Sequence, residues 1–422
     1  MKNGIIEAEQ RTEQSHLKDL ETVRQKKLER EAKLRNQTRR KKVDNDVISY
    51  RGVTGPCALD ELSNFKMARN QGFDPMHDLL EGVVQQVLKL ILIEFVKKKK
   101  YFTIEKFNEG ITKFDYGSEE KRDKPSANFD ILKLSSSGNK IKQTAAQTWL
   151  LLRIFPFIVD EFIPHNTPLM NLVNLLQRIC YTSFSNAATN SMIEQLEKDV
   201  RELHEKFLNH FPNNNPINKL HHLTHYASNI RITTIPNGFN CMRFEALNKL
   251  PKGQMRNALN FQNVPYSLAK RSNLKQMTAI VDRKFAQRVD IISDSTVLKH
   301  EMQHKELLTD YPDNVCCVNH VVVDGVHFRR NVVVKYVREE TNCNEFARVH
   351  SIMYINDTFI FVAERLIKVC FDHQFHSHRV QPSTEYFLLN EDSVFKRKAY
   401  NIWTIPSTDD FFLASQYYDE FK

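Results

Sequence analysis

C-x-x-C motifs and long apolar runs are missing from this 422-residue sequence, and its opening residues do not predict a secretory leader. Its seven cysteines are scattered, and none of them belongs to a C-x-x-C pair. Their odd number also does not suit a disulfide framework. The most apolar run, 83–96, is too short and too polar to cross a bilayer. We therefore expect a protein of a reducing compartment that has no membrane partner.

The sequence does contain enough apolar residues for buried cores, together with an excess of positive charge. Hydrophobic residues make up 41% of the chain and charged residues 26%, with a net charge of +9. The length predicts about two or three domains. A positive balance of this size favours a polyanionic partner such as DNA only where the charge is clustered.

One such cluster lies near the start of the chain. Residues 6–42 contain no glycine or proline and are rich in Glu, Gln, Lys and Arg, which predicts one solvated helix. We therefore expect residues 1–48 to form a basic charged helix. Its second half is typical either of an exposed surface helix or of a segment that contacts phosphates or directs nuclear import. The import candidate consists of Arg39, Arg40, Lys41 and Lys42.

Helical periodicity dominates the next part of the chain. Asp74 and Pro75 suit the cap and first turn of a helix, and apolar residues then recur every three or four positions as far as Leu92. This pattern predicts a long buried helix. We interpret Asp74 and His77 as residues that cap and pack its start. Further helices are expected at 141–163, 167–184, 190–210 and, with interruptions at Pro251–Gly253 and Pro265, 241–290.

The periodicity changes after about residue 315. The run 321–329, V-V-V-D-G-V-H-F-R, places an Asp-Gly turn between β-branched residues, which predicts a hairpin. A second alternating stretch predicts another hairpin at Asn356-Asp357. We therefore expect a helical region at 49–290, a linker at 291–311 and a separate small β-rich domain at 312–422. The predicted fold class is mainly α with a C-terminal β-domain, α+β overall.

The stretch with the clearest chemical content contains a histidine pair and an acid. His221 and His225 are one helical turn apart, so both imidazoles can face the same way. Glu245 follows 20 residues after His225, between an aromatic and a small residue in R-F-E-A. This pattern is typical either of one edge of a metal-dependent nuclease site or of a core helix followed by a surface glutamate.

Ordered motifs between about residues 50 and 290 resemble DDE transposases of the CACTA (En/Spm) and Kyakuja-Dileera-Zisupton groups. They are V-T-G-P-C-A-L-D-E-L-S-N-F, G-F-D-P-M-H-D-L-L-E-G-V, K-P-S, I-K-Q-T-A-A-Q, H-H-L-T-H-Y and C-M-R-F-E-A. The resemblance implies a ribonuclease-H-like fold in which three acids hold two Mg²⁺ or Mn²⁺ ions for phosphoryl displacement. It also implies a structural zinc site, in which a histidine pair joins two ligands from a C/D-x-x-H or C-x-x-C motif.

By this resemblance, Glu245 matches the third acid, and His221 and His225 match the histidine pair of the zinc site. The chain departs from the family elsewhere. No strand with a catalytic aspartate is evident before residue 50, and no C-x-x-C is present in the chain. No C-x-x-H lies within the resembling region 50–290, and Pro251 and Gly253 fall in the helix expected after Glu245. The resemblance therefore implies the C-terminal half of a transposase, as a truncated gene model, a decayed copy or a domesticated fragment. The alternatives are a core or interface histidine pair and an inert acid.

Three functional classes remain open. The first is a transposase-derived nuclear DNA-binding protein without independent strand-transfer activity, and a homodimer is compatible with it. The second is an active nuclease completed by a separate N-terminal half, which would then bind Mg²⁺ or Mn²⁺. The third is a non-catalytic protein-interaction module. The residues expected to contact DNA are Arg39, Arg40, Lys41, Lys42, Lys249, Lys252, Arg256, Lys270 and Arg271.

Overall fold

A computed structural model describes residues 11–35, 47–67, 69–70, 72–136, 138, 140–258, 262–282, 289–298, 302–338, 341–355, 358–405 and 410–414. Of these residues about 51% are helical and 23% lie in strands, and a large antiparallel sheet forms the C-terminal part. This organisation confirms an α+β protein. In the described ranges, no helix is both long and apolar enough to cross a membrane.

The first helix, α1 (Glu13–Arg35), is not solvated on all sides as the sequence suggested. Val23, His16 and Asp19 are buried on one of its faces. That face packs against the segment 47–61, where His16 Nε2 lies 3.7 Å from Asp60 Oδ1. The expectation of a fully exposed helix was therefore wrong for this face, because a mostly polar helix can still bury a few residues against a neighbouring loop.

One long helix, α2, forms the centre of the helical region at residues 76–98. It has wide π-type turns at Met76–Val83 and Glu94–Lys98 and regular α-helical geometry at Val84–Ile93. Its apolar stripe is fully buried, and Asp74 accepts a hydrogen bond from the Met76 backbone N–H at 3.0 Å. The predicted buried helix and its cap are confirmed.

The remaining helices follow in chain order. They are α3 (Ile104–Lys113), α4 (Gly117–Glu120), α5 (Ile131–Ser135), α6 (Ala145–Val159), α7 (Met170–Ser183), α8 (Asn190–His210), α9 (Asn218–His222), α10 (Tyr226–Ile232), α11 (Met242–Leu247), α12 (Lys249–Ala258) and α13 (Val264–Val281). The prediction of a helix interruption at Pro251–Gly253 was wrong, because α12 continues through these residues. The chain breaks at Asn248 instead, which puts Pro251 in the first turn of α12, where a missing N–H is tolerated.

All strand pairings in the described residues are antiparallel. The strands are β1 (Val289–Leu298), β2 (Asn314–Val323), β3 (Val326–Arg329), β4 (Val333–Arg338), β5 (Cys343–Ile355), β6 (Thr358–Asp372), β7 (Ser377–Asn390), β8 (Val394–Thr404) and β9 (Phe411–Ala414). Their order is β1-β2-β5-β4-β8-β9-β7-β6, with β3 also on β2. Because β5 also pairs with β6, the strands from β5 to β6 along this order close into a ring.

Both predicted hairpins are confirmed as strand pairs, β2 with β3 and β5 with β6. At the first turn Asp324 and Gly325 have φ values of 51° and 82°, the left-handed conformation that a tight two-residue hairpin requires. The turn at 356–357 lies outside the described residues. The prediction of a linker at 291–311 was wrong in part, because strand β1 occupies Val289–Leu298 and pairs with β2.

The C-terminal sheet packs against the helical region, whereas the sequence predicted a separate β-rich domain. Phe157 of α6 contacts three aromatic rings from the C-terminal part, with centroid distances of 4.7 Å to Phe375 and 5.4 Å to both Trp403 and Phe412. These side chains belong to the same buried cluster as the helical core. Alternation along a strand shows that one face is apolar, but it does not show which element covers that face.

Candidate functional site

The residues singled out in the sequence lie around the N-terminal end of helix α2. Helix α9 packs closely against this end, and Lys219 Nζ donates a hydrogen bond to the His77 backbone carbonyl at 2.6 Å. The close approach depends on Gly82, since a Cβ there would lie 2.5 Å from Lys219 Cδ. Three distant segments, the start of α2, helices α9 to α10 and helix α11, therefore meet in one place.

The imidazole of His77 connects two carboxylates. Its Nδ1 contacts Asp74, and its Nε2 lies 3.2 Å from Glu245 Oε1. The Asp74 carboxylate also accepts the backbone N–H of Cys241 at 3.1 Å. The His77 and Glu245 side chains are 42% and 52% exposed, so this group faces solvent. It joins helix α11, which carries Glu245, to the start of α2.

Asp78, one residue further along α2, has a different environment. It is buried, with His222 Nδ1 at 2.9 Å from one carboxylate oxygen and the Tyr226 hydroxyl donating to the other at 3.3 Å. Burial, with a further contribution from the Asp78 charge, raises the pKa of Tyr226 well above its ordinary value. The tyrosine therefore stays protonated as a donor, and this cluster anchors α2 to α9 and α10.

The predicted histidine pair is brought together by the short helical turn between α9 and α10. His221 Nε2 and His225 Nε2 are 3.2 Å apart, and their rings are nearly perpendicular at 89°. Phe73 stacks on His225 with ring centroids 5.8 Å apart. Burial, and then the neighbouring imidazoles of His221 and His222, lower the pKa of His225. Neutral imidazoles can share a hydrogen bond, and this spacing also suits two ligands of one metal ion.

The described residues do not complete the metal sites that the resemblance implies. No group of three or more His, Cys, Asp or Glu side chains in this part of the chain is arranged to hold a metal ion. A closed zinc site needs four ligands, and only the pair of His221 and His225 is in place. Glu245 is paired with His77 rather than grouped with other acids. The described residues therefore do not fit the zinc and magnesium sites of the resemblance.

The contact between His77 and Glu245 was not predicted from the sequence. Asp74 and His77 were predicted only to cap and pack the start of α2, and the hydrogen bond from the Met76 backbone N–H supports that capping role for Asp74. A signal for a role beyond capping was present, because Asp74-Pro75-Met76-His77 has the D-x-x-H spacing that the resemblance to DDE transposases implies for zinc ligands. The contact with Glu245 itself could not be anticipated, since no local pattern connects residues so far apart.

Helices α11 to α13 form what we call the basic arm, the described residues within 242–282. It contains seven lysines and arginines against two acidic residues. All seven basic side chains are exposed, and none of them forms an ion pair within the described residues. Five of the seven are predicted DNA contacts, namely Lys249, Lys252, Arg256, Lys270 and Arg271. The other predicted contacts, Arg39, Arg40, Lys41 and Lys42, lie outside the described residues.

The basic arm also exposes large apolar side chains. Phe244 is 68% exposed on α11, and Tyr266, Met277 and Val281 on α13 are 62%, 61% and 80% exposed. None of the residues of α11 or α13 is buried. Large apolar side chains that stay exposed on a helix are typical of an interaction site.

Comparisons with known proteins add no identity to this geometry. No protein-family model, no curated protein and no solved structure matches the chain.

Proposed function

We propose that this chain is a transposase-derived nuclear DNA-binding protein that has no strand-transfer activity of its own. The observation that carries the proposal is the basic arm, where seven exposed cations face solvent without ion-pair partners in the described residues. The resemblance of the ordered motifs to DDE transposases supports the choice of DNA as the polyanion. The basic run Arg39, Arg40, Lys41 and Lys42 supports the nucleus as its location.

Charge without paired acids is the arrangement that phosphate binding favours. Each Lys or Arg that neutralises a phosphate releases condensed counterions, so affinity falls steeply as salt rises. Helix α13 has 18 residues and is therefore about 27 Å long at 1.5 Å per residue, which lets its side chains reach several phosphates. Phosphate contacts carry no sequence information, so we expect binding that depends little on the DNA sequence.

Two observations support the absence of independent catalysis. Glu245 is tied to His77, and the nearest acid on the same imidazole, Asp74, is committed to backbone N–H groups of Met76 and Cys241. Asp78 is occupied by His222 and Tyr226. A two-metal mechanism needs several acids that converge on free space, and the described residues offer no such group.

The test is a salt titration of DNA binding by fluorescence anisotropy, using a labelled duplex of random sequence. The variant Lys270→Glu/Arg271→Glu reverses two charges on α13, and the control Lys198→Glu/Arg201→Glu makes the same change on the acid-rich helix α8. We expect the α13 variant to weaken binding at least about tenfold and to reduce the salt slope by about two. Equal binding by the α13 variant and wild type would overturn the proposal.

A protein-interaction function is the second candidate, favoured by the exposed apolar residues of the same arm. The two candidates differ in salt dependence, because apolar contacts are not weakened by salt whereas phosphate contacts are. The variant Met277→Ser/Val281→Ser removes apolar surface without changing charge. If it leaves DNA binding intact but abolishes salt-resistant binding to a partner, the arm serves the second function.

A further inference from the structure

A buried lysine in the helical core has no role in the features described so far. Lys89 lies in the α-helical part of α2, and only 6% of it is exposed. Its ammonium donates to the Ser136 carbonyl at 3.0 Å and to the Gly138 carbonyl. It forms no ion pair with an acid in the described residues. A buried cation without a counter-charge is costly, and burial accordingly lowers the pKa of Lys89.

The ammonium group sits beside a cavity of about 240 Å³ between α2, α5 and the loop after α8. Its lining in the described residues contains no acidic side chain. The polar part of the lining comes from Gln86, Lys89, Ser135, Ser136 and Asn214. Gln86 is itself fixed, because its amide donates to the Asn215 carbonyl at 3.0 Å. Exposed residues at the mouth connect the cavity to solvent.

The chemistry of this lining selects the charge of a ligand. Lys89 has three N–H donors, and its two carbonyl partners leave one for a further acceptor. A cation would meet only the lysine charge and carbonyl or amide dipoles, with no carboxylate to bind it. A water molecule occupies roughly 30 Å³ of liquid volume, so the cavity is larger than one water needs. An oxyanion would supply both the missing counter-charge and several acceptor oxygens.

We propose that the cavity beside Lys89 binds a phosphate group, with the Lys89 ammonium as the charge partner and the Asn214 amide as a donor at the rim. The same chemistry fits a free phosphate ion and the terminal phosphate of a nucleic acid. The site lies on the helical core rather than on the basic arm, so it does not depend on the proposed DNA contacts.

The experiment is a titration of the whole chain with inorganic phosphate, followed by ³¹P NMR line broadening and by calorimetry. Lys89→Met removes the charge and keeps an apolar chain in the core, and Lys97→Met is the control at an exposed position of the same helix. We expect saturable binding by wild type and Lys97→Met and a loss of at least about tenfold in Lys89→Met, as for a charge-assisted hydrogen bond. No saturable binding by wild type, or equal binding by Lys89→Met, would overturn the proposal.

A second variant keeps the test valid if Lys89→Met does not fold by circular dichroism. Asn214→Asp places a negative charge at the exposed rim, where it repels an anion without disturbing the core, and it should weaken phosphate binding to a similar degree. Unchanged binding in this variant also contradicts the proposal. Competition by oligonucleotides with and without a 5′-phosphate then distinguishes the sources. Competition by the phosphorylated form alone indicates a nucleic-acid end, and competition by neither indicates free phosphate.

Discussion

The helical core and the basic arm of this protein treat polar and apolar groups in opposite ways. In the core, Arg153 is buried but contacts Glu120 and lies 4.8 Å from the Trp403 ring centre. In the arm, Lys270 and Arg271 are exposed, while Met277 stands open to solvent. The interactions of the core therefore stabilise the fold, whereas the arm leaves both charged and apolar side chains available for a partner.

The largest difference between the two regions is expected when the same truncation, leucine to alanine, is made in each of them. Leu88→Ala removes a side chain that is 0% exposed in α2, and Leu274→Ala removes one that is 55% exposed in α13. We expect Leu88→Ala to lower the free energy of unfolding by about 2–5 kcal/mol because it leaves a cavity. Leu274→Ala should change it by no more than about 0.5 kcal/mol. Urea unfolding followed by circular dichroism measures both, and comparable losses would mean that the arm is packed like the core.

Acid should weaken the part of the core that contains His376. This imidazole stacks on Tyr181 with centroids 4.9 Å apart, and burial lowers its pKa to about 3. Above the ordinary histidine pKa, near 6.5, the folded and unfolded states both carry it neutral, so it has no effect. Below that pH the imidazole binds a proton in the unfolded state but stays neutral in the folded state. The free energy of unfolding therefore falls as the pH falls.

From pH 7 to pH 5 this linkage is worth about 2 kcal/mol in the free energy of unfolding. The variant His376→Gln should remove most of that pH dependence. The control His373→Gln changes an exposed neighbour whose charge is the smallest of the causes that lower the pKa of His376, so it should leave most of the pH dependence in place. Unfolding curves at the two pH values measure the difference. Equal pH dependence in wild type and His376→Gln would show that the buried imidazole is not responsible.

The smallest effect is expected at Glu245. If the arm and its junction with α2 have no catalytic role, the purified chain shows no Mg²⁺- or Mn²⁺-dependent nicking of supercoiled DNA. Glu245→Gln then changes nothing measurable in that assay, and its stability changes by no more than about 0.5 kcal/mol because the side chain is half exposed. Robust nicking that disappears in Glu245→Gln would instead favour an active nuclease.

Local patterns in the sequence anticipated the elements with strong periodicity. The stripe of α2 and its cap at Asp74 follow from the helical repeat and from the preference of aspartate for helix starts. The β2–β3 hairpin follows from Asp324-Gly325, because both turn residues must adopt positive φ. The helix break at Asn248 was predicted a few residues too late, at Pro251–Gly253. A proline is compatible with the first turn of a helix as well as with its end, so the sequence did not distinguish the two positions.

The sequence by itself determined where helices and strands form, which faces are apolar and where the basic residues concentrate, because these properties depend on neighbours a few positions apart. Only the tertiary structure decided that β1 extends the sheet into the expected linker, that Phe157 joins the sheet to the helical core, and that His77 connects Asp74 with Glu245. These contacts join residues far apart in the chain. Their partners are selected by shape, burial and charge in the folded molecule rather than by any local repeat.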